Sequence, residues 1–307
     1  MGYELAEPLS FPEELCNWLE TLPFACNMAY QPDFALPLLE VTSANGPVLK
    51  VMPVELSKWN RSSQNFLLNQ LTNRVQSIRN EGLPTVVIWE DYWLGKKGIV
   101  QSRLAAMLGF SAKIPARLTQ VRRIDNATTA QFLEANHLNG NVMSKFRYGL
   151  FLPKRYYRVL PEGFTFDAMA EELLVAVATF SNARIFEQNN APFRSHELIR
   201  FASLLNTNVV GALDKLLNAF IREKSPDDIM TYADLEWSDG RSYKRLGFEE
   251  RGEMPPREVQ VRVADMHRVR TETTHSPEKP AIEYLTVYNL GSIKYVKTIK
   301  PSQTDEC

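Results

Sequence analysis

The chain has 307 residues, of which 44 % are hydrophobic and 23 % are charged, and its 35 basic residues nearly balance its 36 acidic residues. The formal net charge of −1 does not by itself favour a polyanionic partner. The length exceeds what one hydrophobic core usually holds, so we expect two domains. No segment approaches the roughly 18 apolar residues that span a bilayer, and the amino terminus lacks the basic start and apolar run of a signal peptide. We therefore expect a cytoplasmic protein with no membrane contact.

The cysteines give no sign of a metal or disulfide framework. Cys16, Cys26 and Cys307 occur without a Cys-x-x-Cys pair or a Cys/His ligand spacing. This pattern predicts neither a zinc site nor a disulfide framework, and it fits a reducing compartment.

The first 124 residues predict a small α/β unit. Hydrophobic periodicity indicates helices over residues 11–22, 65–80 and 98–108 and strands over residues 48–56 and 85–89. The last helix lies within residues 96–123, a segment whose charged residues are all basic, namely Lys96, Lys97, Arg103, Lys113, Arg117, Arg122 and Arg123. Such a segment is either a phosphate-contact surface or a solvated basic face.

Two segments of this unit resemble the very-short-patch-repair endonuclease fold. Leu83 to Trp93 is similar to the late strand of that fold, and Gln31 to Phe34 is similar to its Pro-Asp-Phe segment, which carries a metal-binding aspartate. The resemblance implies a restriction-endonuclease-like mixed sheet in which Asp33 binds Mg²⁺ if the site is active, with Glu55 and Lys58 as alternative partners.

A nuclease mechanism that uses histidine is excluded here, because residues 1–124 contain no histidine. A scaffold that has lost cleavage and kept its DNA contact is the preferred interpretation. The neighbouring pair Glu90 and Asp91 predicts a helix cap and a surface pair rather than a metal site.

The boundary between the domains is predicted near residues 118–128. Residues 118–124 alternate like an edge strand, and the polar run that follows caps a helix over residues 130–136 that ends at His137. A histidine at this position either points an imidazole into a cleft or forms an ordinary C-cap, where it favours the helix dipole.

Further strands are predicted over residues 147–152 and 173–180, and a loop over residues 181–195. The insert between the two strands carries a cationic and aromatic cluster of Lys154, Arg155, Tyr156, Tyr157 and Arg158. The cluster suits phosphate contact and base stacking, or it is a surface loop. Near the end, strands over 282–288 and 293–299 predict a hairpin that closes the sheet.

Residues 197–248 predict the order strand, helix, strand, short helix, with a strand over 197–205, a helix from Val209 and a second strand over 229–233. Such a crossover binds anions beyond the carboxyl ends of its strands, at the helix N-terminus. The predicted anion site consists of Asn208, Val209, Val210, Gly211 and Ala212. The last two residues are small enough for a phosphate to approach the main chain.

The order of residues resembles the GNAT superfamily of acetyltransferases, whose pyrophosphate loop joins the fourth strand to the third helix. More narrowly, it resembles the Mom family of DNA-modification proteins and Mom-like domains of phage proteins. The resemblance rests on FLEANH (132–137), YAD (232–234) and SYKRLGF (242–248), in that order. The chain departs from the family in lacking the full Arg/Gln-x-x-Gly-x-Gly/Ala series of the acyl-carrier loop.

This resemblance implies a GNAT-like mixed sheet flanked by helices and transfer of an acyl group from acetyl-CoA, or a related donor, to a nucleobase amine. It places His137, Asp234 and Tyr243 in the catalytic site. Asp234 would orient His137 or the amine, and Tyr243 would act as acid or hydrogen-bond donor. Asp239 would assist them or cap the helix of Tyr243. Core packing is the alternative role of Tyr243 and Trp237.

Together these features predict an α/β (α+β) protein with a nuclease-like domain over residues 1–124, a GNAT/Mom-like domain over 125–300 and a polar tail over 301–307. The predicted function is phage- or mobile-element-type modification of DNA, or of another nucleic acid. The predicted contacts with nucleic acid are Lys96, Lys97, Arg103, Arg117, Lys154 and Arg155. A Mg²⁺-dependent homing or mismatch-type endonuclease and a non-catalytic DNA-binding protein are the alternatives.

Overall fold

The structure is a computed structural model that describes residues 9–61, 63–188, 190–269 and 283–299. The chain forms two units. The N-terminal unit consists of Met1–Lys97, Asp234–Asp239 and Met254–Ser292, and the C-terminal unit consists of Gly98–Ala233, Gly240–Glu253 and Ile293–Cys307. The predicted nuclease-like and GNAT/Mom-like regions are family assignments, and they stay predictions.

The described residues form both helices and strands. The α-helices are α1 (Phe11–Glu20), α2 (Leu56–Arg61), α3 (Gln64–Asn80), α4 (Glu90–Met107), α5 (Asn126–Asn136), α6 (Ala212–Lys224) and α7 (Arg241–Arg245). Short 3₁₀-helices cover Ala116–Leu118 and Lys154–Val159. The first nine strands are β1 (Ala25–Gln31), β2 (Phe34–Ser43), β3 (Gly46–Val54), β4 (Thr85–Trp89), β5 (Ala112–Pro115), β6 (Gln120–Arg123), β7 (Phe146–Pro153), β8 (Glu172–Phe180) and β9 (Arg184–Gln188). The others are β10 (Ala191–Ser203), β11 (Thr207–Val210), β12 (Asp228–Asp234), β13 (Glu249–Met254), β14 (Glu258–Arg262), β15 (His267–Val269), β16 (Tyr284–Tyr288) and β17 (Ser292–Thr298).

The N-terminal unit contains two sheets. Strands β1, β2, β3 and β4 form a four-stranded sheet in that order, which is antiparallel except for the parallel pair β3 and β4. Strands β15, β14 and β16 form a three-stranded antiparallel sheet. Every residue of β4 is buried, as expected for an apolar strand that is covered on both faces.

The segment from Asp234 to Asp239 is attached to β4 of the same unit. The guanidinium of Arg79 donates hydrogen bonds to the carbonyl oxygens of Thr85 at 2.6 Å and Leu235 at 2.9 Å. The Val87 N–H donates to the carbonyl oxygen of Glu236 at 2.8 Å. These bonds satisfy main-chain groups of the segment and fix it beside a fully buried strand.

The C-terminal unit is built on an eight-stranded mixed sheet. Its order is β13, β17, β12, β10, β8, β7 and β6, and β9 pairs with the first half of β10. Strands β10 and β12 run parallel, whereas β10, β8, β7 and β6 are antiparallel neighbours. The predicted edge strand over residues 118–124 is β6. The predicted class, α/β with mixed sheets flanked by helices, is confirmed.

Helices α5 and α6 cover opposite faces of this sheet. Phe132 of α5 packs with Val177 of β8 in one buried cluster. Phe220 of α6 stacks on Phe180 of the same strand, with ring centroids 4.0 Å apart. Because Val177 and Phe180 are three residues apart on one strand, their side chains point to opposite faces. The chain crossover through α6 therefore lies on the other face from α5.

Three predicted segments differ from the structure. The loop predicted over residues 181–195 is wrong, because β9 and the first half of β10 form a hairpin there. The closing hairpin predicted from 282–288 and 293–299 is also wrong, because β16 pairs with β14 and β17 lies between β13 and β12. The helix predicted from Val209 begins only at Ala212, because residues 207–210 form β11 parallel to β5.

The cysteines correct a further expectation. Cys16 of α1 and Cys26 of β1 are joined by a disulfide, with their Cα atoms 5.6 Å apart. The expectation of no disulfide is therefore wrong. The short turn after α1 returns the chain along the helix, so two cysteines without a recognisable motif are brought within bonding distance.

Candidate functional site

The central feature of the C-terminal unit is the separation of two parallel strands. Pairing between β10 and β12 ends at Glu197 and Met230, although both strands continue beyond these residues. The Thr231 hydroxyl donates to the carbonyl oxygen of Leu198 at 3.1 Å, where a ladder hydrogen bond would otherwise lie. A bulge in β10 between Leu198 and Arg200 follows, and a bulge increases local twist. The two strands therefore open a cleft at their carboxyl ends.

Helix α6 begins after β10 and β11 with a left-handed residue. Gly211 has φ of +82°, a conformation that glycine adopts without strain, and its carbonyl oxygen accepts the Lys215 N–H at 3.0 Å. Gly211 has no side chain to cap the first turn, so the first N–H groups of α6 can bind an anion. Asp214 contributes a negative charge to the same turn. Within the predicted anion site, Asn208 and Val210 are exposed, whereas Val209 and Ala212 are buried.

The FLEANH segment attaches the end of α5 to the second half of β10. Asn136 accepts the Leu205 N–H through its side-chain oxygen at 2.7 Å, and the Arg200 guanidinium donates to the carbonyl oxygen of Gly140 at 3.3 Å. Glu134 accepts the Asn141 N–H at 2.7 Å. A Cβ atom at residue 140 would lie 2.6 Å from a carboxylate oxygen of Glu134, so a larger residue there would displace that carboxylate. This network places the loop after α5 beside the part of β10 that has left β12.

His137 lies at the C-terminus of α5 within this network, half-buried. Its N–H donates to the carbonyl oxygen of Leu133 at 2.8 Å, which makes it the C-cap. The Asn139 N–H donates to Nδ1 of the imidazole at 3.1 Å. Because Nδ1 accepts, the proton of the neutral ring lies on Nε2. His137 therefore presents a hydrogen-bond donor at Nε2, which suits stabilisation of an oxyanion better than removal of a proton.

Tyr243 lies on α7, packed against aromatic neighbours of the C-terminal unit. Its ring centroid is 5.7 Å from that of Tyr295 on β17 and 5.6 Å from that of Phe248. The Phe248 N–H donates to the carbonyl oxygen of Tyr243, and Gly247 has φ of +79°, so the second half of SYKRLGF ends the helix and returns the chain beneath the tyrosine. Aromatic packing thus holds Tyr243, which is half-buried, and its catalytic role stays a prediction.

Asp234 and Asp239 belong to the segment of the N-terminal unit. Asp234 ends β12, and its side chain accepts the Glu236 N–H at 2.9 Å, a turn typical of aspartate. Asp239 precedes Gly240, and Gly240 rather than Asp239 is the N-cap of α7. The described contacts therefore give Asp234 a turn-forming role, and the catalytic roles of both residues stay predictions.

The N-terminal unit contains a buried ionic cluster around Arg268. The guanidinium donates to both oxygens of Asp91, at 2.7 and 3.2 Å, and lies 3.9 Å from the ring centroid of Tyr92. The side chain of Asp91 is fully buried, and that of Glu236 accepts the Trp89 indole N–H at 2.8 Å. The expectation that Asp91 forms a surface pair is wrong, because residues 177 positions later in the chain cover it.

Glu236 makes the stability of this cluster depend on pH. Burial, and then the Asp234 carboxylate, raise the pKa of Glu236 to about 8 from its ordinary value of 4.5. The folded protein therefore binds this proton more tightly than the unfolded chain, so the free energy of unfolding falls as pH rises from about 5 to 8, by up to about 1.4 kcal/mol per pH unit. We expect Glu236→Gln to flatten this slope in urea titrations. Equal slopes for both proteins would contradict the assignment.

The predicted nucleic-acid contacts on and after α4 have different environments. Lys96 lies at a break in α4, where its φ is −141°, and Arg103 is half-buried on the same helix. Lys97 pairs with Glu14 at 2.9 Å. Arg117 is exposed on a 3₁₀-helix. The pairing of Lys97 with an acid from another helix reduces the positive charge of the segment, and DNA contact there stays a prediction.

The predicted contacts Lys154 and Arg155 lie on the second 3₁₀-helix rather than in an irregular loop. Lys154 pairs with Glu171 at 3.0 Å. Arg155 and Arg158 place their guanidinium groups 5.0 and 5.7 Å from the ring centroid of Tyr156. The surface is thus a tyrosine flanked by two arginines, an arrangement that also stabilises itself without a ligand.

The predicted metal ligand Asp33 is exposed in the turn between β1 and β2. The alternative partners Glu55 and Lys58 pair with each other. Across residues 9–61, 63–188, 190–269 and 283–299, no group of three or more His, Cys, Asp or Glu side chains is arranged to hold a metal ion. Within that part of the chain, Asp33 therefore belongs to no group of side chains that could hold a metal ion. The same residues include no helix long and apolar enough to cross a membrane.

The structure thus brings part of the predicted site together. Within the C-terminal unit, α5 holds His137 beside β10, and α6 follows β10 with the predicted anion site at its start. Asn136 and Glu134 were not among the predicted site residues, although both lie inside FLEANH beside the histidine. Arg200 also contributes to this arrangement, because its side chain binds the loop after α5.

No protein-family model matches this chain, and no curated protein matches it. Solved structures similar to it include a Bacillus subtilis acetyltransferase in complex with CoA and Arabidopsis thaliana NAA60 in complex with acetyl-CoA. Each shares 10 % identity at a TM-score of 0.34, over 59 % of this chain and 99 % of the other. The KacTA–DNA complex shares 16 % identity at a TM-score of 0.28, over 44 % of this chain and 86 % of the other. Likenesses of this size assign neither fold family nor activity.

Proposed function

We propose that the C-terminal unit is a GNAT-type acyltransferase that transfers an acyl group from acetyl-CoA, or a related thioester, to an exocyclic nucleobase amine. The observation that carries the proposal is the separation of β10 and β12, followed along the chain by the N-terminus of α6. The nucleobase as acceptor rests on the resemblance of FLEANH, YAD and SYKRLGF to Mom-like domains.

The cleft suits an extended thioester donor. Strand edges that have lost their neighbour carry main-chain donors and acceptors, and an amide-containing chain such as pantetheine can pair with them as an added strand does. The pyrophosphate of the donor would lie at the start of α6, where N–H groups and the helix dipole favour anions. The short side chains of Gly211 and Ala212 allow that approach.

The transfer forms a C–N bond and breaks a C–S bond. The amine nitrogen attacks the thioester carbonyl carbon, and the developing oxyanion accepts a hydrogen bond from Nε2 of His137. When the C–S bond breaks, the sulfur leaves as a thiolate and Tyr243 donates a proton to it. The proton lost by the amine restores the tyrosine, directly or through water, so the products are an amide and a free thiol.

The donor site is tested by a charge substitution at Val210. This side chain is 55 % exposed and immediately precedes Gly211, so changes there should not disturb the core. We expect Val210→Glu to weaken CoA binding about tenfold or more in calorimetric titrations, because the carboxylate opposes the pyrophosphate. Val210→Gln has the same size without the charge, and it should bind as the unchanged protein does. Equal loss in both variants would argue against an anion at α6.

The acceptor is tested by mass spectrometry of nucleosides from DNA of cells that express the protein, beside cells that express His137→Ala. A modified nucleoside that appears only with the unchanged protein supports transfer to DNA. If the protein binds CoA but no modified nucleoside appears, the proposal of an acyltransferase stands and the nucleobase is excluded as its acceptor.

A further inference from the structure

A second pocket of the C-terminal unit lies at the opposite end of β12 from the cleft. It has a volume of about 400 Å³, within the range of small-molecule sites, and the residues that matter here are Phe186, Gln188, Phe193, Asp228, Arg251 and Lys294. Asp228 is the first residue of β12, whereas the two strands separate only after Met230. The pocket is therefore formed where β10 and β12 are still paired.

One wall of the pocket is aromatic. Phe186 and Phe193 lie opposite each other across the hairpin of β9 and β10, with ring centroids 5.0 Å apart. Phe186 remains 44 % exposed. Paired rings that reach solvent beside a polar pocket present faces on which a planar ligand can stack.

Asp228 lines the pocket, and one of its carboxylate oxygens has no donor within the described part of the chain. Oδ1 of Asp228 is buried and accepts no hydrogen bond within the described part of the chain. Burial raises the pKa of Asp228, and a hydrogen bond from Ser195 opposes the rise. A buried acceptor left unpaired is costly, and an N–H group of a ligand would remove that cost.

Two cations also line the pocket. Lys294 of β17 is close enough to act electrostatically on Asp228, and Arg251 of β13 lines the same pocket while pairing with Glu249 at 2.6 Å. An ammonium and a guanidinium at one pocket favour a phosphate group.

We propose that this pocket binds a nucleotide whose base carries an exocyclic amino group. The amine donates to the carboxylate of Asp228, the base stacks on Phe186 and Phe193, and the phosphate lies toward Lys294 and Arg251. Each of the three parts of a nucleotide thus meets a complementary group. The inference does not depend on acyl transfer, because binding requires no acyl donor.

The test is calorimetric titration of the full chain with AMP, CMP and UMP. In uracil, two carbonyl oxygens lie on either side of the ring N–H and repel a carboxylate. We therefore expect AMP and CMP to bind about tenfold tighter than UMP. Equal binding of all three, or no binding at millimolar concentration, would overturn the proposal. This comparison needs no variant and stands even if a substitution prevents folding.

Variants locate the site. Asp228→Asn should remove most of the preference for AMP over UMP, and Lys294→Gln should remove the preference for AMP over adenosine. The matched control is Glu187→Gln, which neutralises an exposed carboxylate on the other face of the β9–β10 hairpin and should change neither preference. An unchanged preference in Asp228→Asn would place the nucleotide elsewhere.

The same titration separates two sources of the ligand. Short oligo-deoxyadenylate is compared with AMP in the unchanged protein and in Asp228→Asn. If the oligonucleotide binds more tightly than AMP and the variant weakens its binding, the pocket binds a base within a strand. Tighter binding of AMP assigns it to a free nucleotide. Loss of the Asp228 dependence with both ligands would refute the site.

Discussion

Replacing Arg268 by methionine is expected to lower the free energy of unfolding of the N-terminal unit by about 3–5 kcal/mol. The guanidinium binds both oxygens of Asp91, whose side chain has no exposure to solvent, and its positive charge also acts on buried Glu236. Methionine fills a similar volume but supplies no charge. Asp91 is then left buried with neither its cation nor two of its hydrogen bonds, which is the costly way to break an ion pair.

Tryptophan fluorescence during urea denaturation measures this loss selectively, because all five tryptophans lie in segments of the N-terminal unit. The control is Arg262→Met, which removes a partly exposed pair with Asp265 and should cost no more than about 1 kcal/mol. The double variant Asp91→Asn/Arg268→Met should recover part of the loss, since the unpaired charge is gone. A loss no larger than that of the control would refute a stabilising role for Arg268.

Local patterns predicted many of the helices and strands. The strand over residues 85–89 and the helix over 65–80 are observed within one residue of the predicted limits, because each carries its own periodicity and its own boundary signals. The hairpin of β9 and β10 was not predicted, because it lacks such local signals. Its first strand is exposed along its whole length and has no apolar alternation to reveal it.

Local sequence patterns did not predict which strands pair when the strands are distant in the chain. Residues 282–288 and 293–299 are adjacent in the chain and separated by turn residues, which favours a hairpin, yet each strand pairs with other partners in a different sheet. Asp91 was predicted to be a surface residue for a similar reason. Its partner Arg268 is 177 positions away in the chain, and no residue near Asp91 indicates this contact. The order of the motif segments pointed to the loop after α5, and the catalytic roles that it implies stay predictions.

His137 is expected to contribute about 100-fold or more to kcat/KM of the proposed acyl transfer, as a donor to the oxyanion. Its Nδ1 accepts the Asn139 N–H, so the catalytic atom is Nε2. This assignment separates two conservative substitutions. Glutamine can place a donor near the position of Nε2, whereas asparagine can replace only the acceptor at Nδ1.

We therefore expect His137→Gln to keep more activity than His137→Asn, in assays of thiol release from acetyl-CoA with a nucleobase acceptor. Asparagine preserves the hydrogen bond that shapes the loop, so its loss of activity cannot come from a collapsed loop, and circular dichroism checks the fold of both variants. His267→Gln, at an exposed histidine of the other unit, is the control and should be fully active. Activity retained by asparagine and lost by glutamine would show that His137 only caps α5. The oxyanion donor would then have to be sought among main-chain N–H groups of the second half of β10.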